Sequence, residues 1–174
     1  RMLVLAHREE LLLQAQQKIM DVNPTLTVEI ERAGTSASEN ADVVVASVPT
    51  LGRAKSKRLA QLNPDQFYII VIDEAHHTAA ASYHRILDHF SLNTSDTSRL
   101  LVGFTATPKR SDGQGLDKIF DSIVFSRTLP DMIETGYLSP VTGYRIETEI
   151  DISSVKTRMG DFATAQLSET VNVT

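Results

Sequence analysis

The chain carries the stretch FYIIVIDEAH at Phe67–His76, in which a strand-forming run ends abruptly at two adjacent carboxylates, Asp73 and Glu74. A short, nearly continuous run of β-branched and aromatic residues predicts a strand that is buried on both faces. Because a buried strand has no use for charge, acids at its exit indicate a site for a metal ion and an activated water. Asp73 can also act as a helix N-cap that accepts hydrogen bonds from free backbone N–H groups, so both interpretations stay open from these residues alone.

Similar apolar runs recur along the chain and alternate with helical patterns. The predicted strands are Met2–Ala6, Leu26–Glu31, Asp42–Val48, Phe67–Ile72 and Arg99–Phe104. Apolar residues at helical spacing predict one helix from about Glu9 to Asn23 and a second through Tyr83–Phe90. Proline at its start and glycine after its end predict a third, short helix at Pro130–Thr135. This alternation favours an α/β fold in which helices cover both faces of a mostly parallel sheet.

Composition limits the classes of protein that the chain can represent. It has 174 residues with 41% hydrophobic content, which suits one globular domain, and a net charge of −5, so any nucleic-acid surface must be a local patch. The absence of cysteine excludes disulfide frameworks and thiolate metal sites and fits a reducing, intracellular compartment. The apolar runs are too short to span a bilayer, so we predict no membrane partner. A shift to more polar composition predicts a main domain at residues 1–146 and a linker at residues 147–174.

A second polar motif, Gly103–Pro108, also follows an apolar strand. The hydroxyls of Thr105 and Thr107, separated by one small residue, can bond to carboxylate or histidine groups at the end of a neighbouring strand. An ordinary strand-to-loop turn closed by Pro108 is the alternative. In parallel sheets ligands bind beyond the carboxyl ends of the strands, so these polar residues predict a functional site on one rim.

Basic and hydroxyl side chains follow other predicted strands. Arg8 suits bidentate contact with phosphate, and Thr50 offers a hydroxyl at a strand end. The alternatives are a solvated arginine in a first helical turn and a local hydroxyl–backbone bond. A basic cluster follows Thr50 and can extend a phosphate track or form a solvated helix face; it consists of Arg53, Lys55, Lys57 and Arg58. Gly34, from these residues alone, is a plain turn glycine.

Together these segments resemble motifs of superfamily 2 helicases. Motif Ia corresponds to Ala6–Leu11, motif Ib to Ser47–Leu51, motif II to Asp73–His76 and motif III to Thr105–Thr107. The residues of these motifs most resemble the branch that contains type III restriction-enzyme helicase subunits and mitochondrial DNA branch-migration helicases. In that branch a second histidine, such as His77 here, often follows the acidic motif.

The resemblance implies a RecA-like three-layer domain, the first motor domain of a DEAH-type helicase, and a role for each matching residue. Asp73 would bind Mg²⁺ through water, and Glu74 would be the catalytic base for ATP hydrolysis. Coupling of hydrolysis to movement would fall to His76, Thr105 and Thr107, and contact with nucleic acid to Arg8, Thr50 and Gly34. The implied cofactors are ATP and Mg²⁺. The implied partners are nucleic acid, with DNA preferred, and a second RecA-like domain of the same chain. The implied location is the cytoplasm, nucleus or mitochondrion.

The phosphate-binding loop that should serve such a site, G-x-x-x-x-G-K-[ST], does not occur in the sequence. Gly113-Gln114-Gly115 lacks the lysine and hydroxyl that should follow. We expect the loop to precede Arg1 and the second motor domain to follow Thr174. The sheet would then be incomplete at its N-terminus, and the isolated chain would not hydrolyse ATP. The alternatives are a non-hydrolysing nucleic-acid-binding module and a motor subunit of a restriction system.

Overall fold

A five-stranded parallel sheet organises the chain in the computed structural model, which describes residues 1–92, 98–107, 116–143, 157–158, 161–162 and 168. Its strands are β1 (Met2–Ala6), β2 (Val28–Glu31), β3 (Val43–Ser47), β4 (Ile69–Ile72) and β5 (Leu100–Gly103). Their order across the sheet is β2-β3-β1-β4-β5, and every neighbouring pair is parallel. Parallel neighbours require crossover connections, and helices supply most of them. The predicted α/β class with a parallel central sheet is confirmed.

Helices alternate with these strands in the first part of the chain. They are α1 (Glu9–Val22), α2 (Val48–Leu51), α3 (Lys57–Gln61) and α4 (Ala81–His89), with 3₁₀ turns at Pro64–Gln66, Ala75–His77 and Leu116–Lys118. The predicted helices at the positions of α1 and α4 are confirmed. The strand predicted at Asp42–Val48 was wrong at its end, because Val48 begins α2. Pro49 explains the difference: it cannot donate to the ladder of a central strand, and its fixed φ suits a first helical turn.

Alternating side chains of the strands fill two separate cores, one on each face of the sheet. In β1, Leu3 and Leu5 face a core that α4 completes, whereas Val4 and Ala6 face a core that α1 completes with Leu12. Each large side chain buried in this way stabilises the fold by roughly 1.5–3 kcal/mol. Both faces are covered at β1 and β3, but the prediction of a strand buried on both faces was wrong for β4, where Ile69 is 38% exposed, and Leu100 of the neighbouring β5 is 57% exposed.

The chain divides into two compact units, Arg1–Ser122 and Ile123–Thr174. The second unit contains α5 (Leu129–Glu134) and a short antiparallel pair, β6 (Thr157–Arg158) and β7 (Asp161–Phe162). A capping box begins α5: Thr128 and Asp131 bond to each other's backbone N–H, and these bonds lower the pKa of the Asp131 carboxyl. The predicted short helix is confirmed to within one residue. The predicted domain boundary after residue 146 lies outside the described residues and stays a prediction.

The registers of the sheet align the carboxyl ends of its strands. Ala6 lies opposite Ser47, and Ile72 lies opposite both Leu5 and Gly103. Residues that follow these strands therefore emerge on one rim, which is where the sequence places its polar motifs. In the part of the chain that the structure describes, every helix is too short or too polar to cross a membrane.

Gly52 sets the distance between α2 and α4, since a Cβ built on it would lie 2.6 Å from both the Cβ and the carbonyl oxygen of Ser82. We expect Gly52→Ala to push the two helices apart and lower the free energy of unfolding by about 1–3 kcal/mol. Urea unfolding followed by circular dichroism measures this change. The matched control is Gly143→Ala, whose Cβ would have no neighbour within 4 Å. Equal midpoints for the two variants would contradict the packing argument.

Candidate functional site

The turn Asp73–His76 is held from both sides by the neighbouring strands. The backbone N–H of Asp73 donates to the carbonyl oxygen of Leu5 over 3.0 Å, and that of Ala75 donates to the carbonyl oxygen of Phe104 over 2.8 Å. We call Asp73–His76 the acid turn. Because β1 and β5 flank β4, the acid turn lies on the rim between these two strands, with a hydrogen bond to each side.

The two acids of the turn differ in backbone conformation and in surroundings. Glu74 adopts a left-handed conformation with φ of 53°, which is uncommon for a residue other than glycine and costs on the order of 1–3 kcal/mol. Its backbone N–H donates to Oδ1 of Asp73 over 3.0 Å. Asp73 therefore does accept a backbone hydrogen bond, as the capping interpretation requires, but that bond uses one of its two carboxylate oxygens. The other oxygen makes no hydrogen bond to the residues that the structure describes.

His76 connects the acid turn to the end of β5. Its Nδ1 lies 3.0 Å from Oγ1 of Thr105 and 3.3 Å from Oε2 of Glu74. The Thr105 hydroxyl oxygen also accepts the backbone N–H of Thr107 over 3.1 Å. A neutral His76 can accept the Thr105 proton at Nδ1, whereas a protonated His76 can donate to Glu74 instead. Hydrogen bonds thus link His76, Thr105 and the backbone of Thr107, and Glu74 lies at ion-pair distance from His76.

One part of this motif differs from what the sequence indicates, and another is untested. Thr107 takes part through its backbone N–H, and its exposed side chain does not bond to Thr105. Pro108, Lys109 and Arg110 lie outside the described residues, so the predicted closure of the loop by Pro108 stays a prediction. Gly113-Gln114-Gly115 lies outside them as well.

The donor set at Asp73 suits a hard cation that keeps most of its water. Mg²⁺ prefers oxygen ligands and is commonly held by one or two carboxylates together with substrate phosphates. Within the described ranges, no three His, Cys, Asp or Glu side chains converge into a cage that would hold a metal without a substrate. Asp73 fits Mg²⁺ in this substrate-assisted way, through its carboxylate oxygen that bonds no described residue.

The three candidate nucleic-acid contacts lie after β1, β2 and β3, which are neighbours in the sheet. Arg8 is exposed, directly precedes α1 and makes no capping bond with its side chain. Gly34 forms a tight turn in which Arg32 and Thr35 exchange backbone hydrogen bonds, and its φ of +83° explains the glycine. Thr50 binds this turn, because its hydroxyl oxygen accepts the backbone N–H of Ala33 over 3.1 Å.

The basic cluster divides into two kinds of residue. Arg58 is held by Glu31, which is buried at the end of β2, with 2.5 Å between its Nη1 and the carboxylate Oε1. Arg53 donates to the carbonyl oxygen of Pro49 over 3.0 Å. Lys55 and Lys57 are exposed and border a cavity of about 450 Å³ beside Thr50. The Glu31–Arg58 pair gives no sequence signal, since its partners are 27 residues apart.

The hydroxyl of Tyr83 is a further polar group near the site, although the sequence shows Tyr83 only as one residue of a helical apolar pattern. Tyr83 is 1% exposed, and its hydroxyl has no hydrogen-bond partner among the residues that the structure describes. Burial, followed by the negative charges of Asp73 and Glu74, raises the pKa of Tyr83 to about 12. Tyr83 is the one residue with a polar group on a helix face that otherwise carries Ile86, Leu87 and Phe90. That difference is the sequence signal that could have identified Tyr83 as a candidate.

Comparison with known proteins identifies the relatives of the chain. The family model described as "Type III restriction enzyme, res subunit" matches residues 1–110, which include all the candidate site residues. A Saccharomyces cerevisiae protein named "Putative ATP-dependent helicase IRC3" is 40% identical over 98% of this chain and 24% of its own length. A Schizosaccharomyces pombe protein named "Putative mitochondrial ATP-dependent helicase irc3" is 42% identical over 78% of this chain and 22% of its own length. The chain thus spans less than a quarter of these relatives.

A solved structure supports the fold at the level of architecture. A crystal structure described as a hypothetical ATP-dependent RNA helicase from Sulfolobus tokodaii superposes with a TM-score of 0.52 at 24% identity. The match covers 68% of this chain and 38% of that protein. At this identity the likeness shows the RecA-like α/β fold alone.

The hydrogen bonds of Thr105 make its hydroxyl important for the stability of the rim. We expect Thr105→Val, which keeps the shape of the side chain, to lower the free energy of unfolding by roughly 1–2 kcal/mol, because His76 and the backbone of Thr107 both lose a partner. Thr107→Val is the matched control and should change stability by less than about 0.5 kcal/mol. Urea unfolding of both variants measures the difference, and equal losses would show that the Thr105 hydroxyl does not brace the rim.

Proposed function

Because the chain belongs to the family of type III restriction enzyme res subunits and is a first motor domain of the superfamily 2 helicase type, we propose that it is part of an ATP-dependent DNA helicase or translocase. The observation that carries this proposal is the position of His76, whose Nδ1 lies within hydrogen-bonding reach of both Glu74 and Thr105. That arrangement connects Glu74, an acid suited to activating water, with the end of β5. A change in the protonation of Glu74 can therefore affect the end of β5.

In the proposed reaction the two acids have separate tasks. Asp73 holds Mg²⁺ through water, and the ion neutralises charge on the phosphates of ATP when it is bound. Glu74, whose carboxylate is 44% exposed, orients the attacking water and takes its proton. The left-handed backbone at Glu74 supports this division, because it lets adjacent carboxylates leave the same strand end in different directions.

Coupling would run from Glu74 through its ion-pair contact with His76 and then through the hydrogen bonds of Thr105 to Thr107. When Glu74 takes a proton, it becomes a weaker acceptor for His76, and His76 can then bond more strongly to Thr105. Thr105 in turn holds the backbone of Thr107, so the change reaches the loop after β5. The S. tokodaii likeness supports only the fold on which this chain of bonds is built.

The nucleic-acid track would run along Arg8, Gly34 and Thr50. Arg8 is exposed and positioned to contact phosphate with its guanidinium. The Thr50 hydroxyl oxygen already accepts a backbone N–H, so its own proton remains for a phosphate oxygen. Gly34 leaves open space where a side chain would otherwise stand. The preference for DNA rests on resemblance to the branch described above.

The remaining parts of the proposal concern the protein that contains this chain. A phosphate-binding loop and a second RecA-like domain would complete the nucleotide site. The relatives support both, because this chain matches only 24% and 22% of their lengths. The mitochondrial name of the S. pombe relative supports a mitochondrial location. The family match equally allows the motor to serve a restriction system.

The base assignment is tested by Glu74→Gln in the intact protein. We expect turnover of ATP to fall by at least about 10²–10⁴-fold while nucleotide affinity changes little, because the amide keeps the shape of the carboxylate but cannot take a proton. Nucleic-acid-stimulated phosphate release and equilibrium binding of a fluorescent nucleotide measure the two quantities. Glu10→Gln, at an exposed position of α1, is the control. Full turnover by Glu74→Gln would refute the assignment, and a wild-type protein without ATPase would favour a non-hydrolysing binding module.

The nucleic-acid track is tested by the salt dependence of binding. Arg8→Ala should reduce the slope of log affinity against log salt by about 0.7 for single-stranded DNA, since one phosphate contact is lost. Lys18→Ala is the matched control, because it removes an exposed charge from α1 roughly 15 Å further along the same helix. Fluorescence anisotropy with labelled oligonucleotides measures both slopes. If the two variants reduce the slope equally, Arg8 makes no specific contact.

A further inference from the structure

Tyr83 combines complete burial with an unused polar group. It is 1% exposed on the face of α4 that also carries Ile86, Leu87 and Phe90, each with no exposed surface. Its hydroxyl is buried and bonds to none of the residues that the structure describes. The neighbouring buried hydroxyl, that of Thr78, differs because it donates to the carbonyl oxygen of Ala75 over 2.7 Å.

Tyr83 belongs to the same buried cluster as Ile72 and Ala75, the residues that flank Asp73 and Glu74 in the chain. The helix begins at Ala81, so Tyr83 lies in its first turn, and helical side chains point back towards the N-terminus of their helix. The 3₁₀ turn Ala75–His77 leads from the acid turn to this end of α4. The pKa of the phenol, raised to about 12, responds to the charges of both Asp73 and Glu74, which shows that the acids act on it electrostatically.

The hydroxyl does not stabilise the fold in the conformation described. A buried hydroxyl without a partner costs on the order of 1–3 kcal/mol relative to one that is paired. Phenylalanine would fill the same space on this apolar face without that cost. The hydroxyl makes no bond to the described residues that would offset the cost of its burial, and the nearby acid pair offers a physical reason for its presence.

We propose that Tyr83 is a positioning residue that donates its hydroxyl proton to the carboxylates of Asp73 and Glu74, directly or through one water, when the nucleotide complex forms. The contact would fix the direction of the Glu74 carboxylate, which lies at an ion-pair distance of 3.3 Å from Nδ1 of His76. Tyr83 keeps its proton at neutral pH, so towards a carboxylate it is the hydrogen-bond donor. This inference rests on the function proposed above.

The experiment compares Tyr83→Phe with wild type in the intact protein. We expect the unfolding midpoint to stay the same or rise, since a buried unpaired hydroxyl is removed. We expect nucleic-acid-stimulated kcat to fall by about 10–100-fold, the range typical of supporting hydrogen bonds around a catalytic site, with KM for ATP unchanged. Tyr68→Phe is the matched control, because its side chain is 60% exposed and precedes β4 at the opposite end of the sheet. It should change neither quantity.

Any other result for Tyr83→Phe would contradict the proposed role of its hydroxyl. Unchanged kcat in Tyr83→Phe would show that the hydroxyl does not position the acids. A lower unfolding midpoint, or an unfolded variant by circular dichroism, would show that the hydroxyl has a structural partner. Glu74→Gln, measured beside it, separates this inference from the proposed function. If Glu74→Gln abolishes turnover and Tyr83→Phe does not, only the role of Tyr83 fails; if Glu74→Gln keeps turnover, the base assignment itself fails.

Discussion

Two backbone hydrogen bonds, from Asp73 to Leu5 and from Ala75 to Phe104, fix the acid turn between its neighbouring strands. They attach a charged, strained turn to β1, which is buried from Leu3 to Ala6, and to the residue that follows β5. The cores on both faces of the sheet hold those strands in register, so the position of the carboxylates depends on packing far from them. A site held in this way can keep a left-handed Glu74, because the surrounding sheet determines its conformation.

Strain and unpaired polarity occur together around this turn. Glu74 has a conformation that costs free energy, and Tyr83 buries a hydroxyl without a partner in the described residues. Neither feature stabilises the fold, and both lie beside the same pair of carboxylates. Sequences usually satisfy local rules everywhere except where function requires otherwise. The coincidence of two such departures is a physical argument for this turn as the site of chemistry, independent of the relatives.

The sequence alone was enough to predict the parallel sheet, but it was not enough to predict which side chains contact each other. Apolar runs between helical patterns predict a parallel sheet because strands buried on both faces need continuous apolar sequence. The end of β3 was predicted one residue too late, because Val48 continues the apolar pattern of Val43–Ala46 after Ser47 and Pro49 is the residue that marks the turn into α2. A plain turn was the alternative interpretation of Gly34, and the structure does place Gly34 in a turn. The bond of that turn to Thr50 was not predicted, since it depends on how β2 and β3 align. Likewise, the basic cluster gave no sign that Arg58 is bound to Glu31.

The strand order separates two kinds of phosphate chemistry along one rim. The order β2-β3-β1-β4-β5 puts the Gly34 turn, Thr50 and Arg8 on one side and the acid turn with Thr105 on the other. Negative carboxylates would repel a polynucleotide, and exposed charges are screened beyond about 8 Å at physiological salt. Separating basic from acidic residues along the rim lets a chain of net charge −5 offer a local cationic surface. Arg8 follows β1, the strand between the two sides, so movement at the acid turn has a short route through β1 to the proposed track.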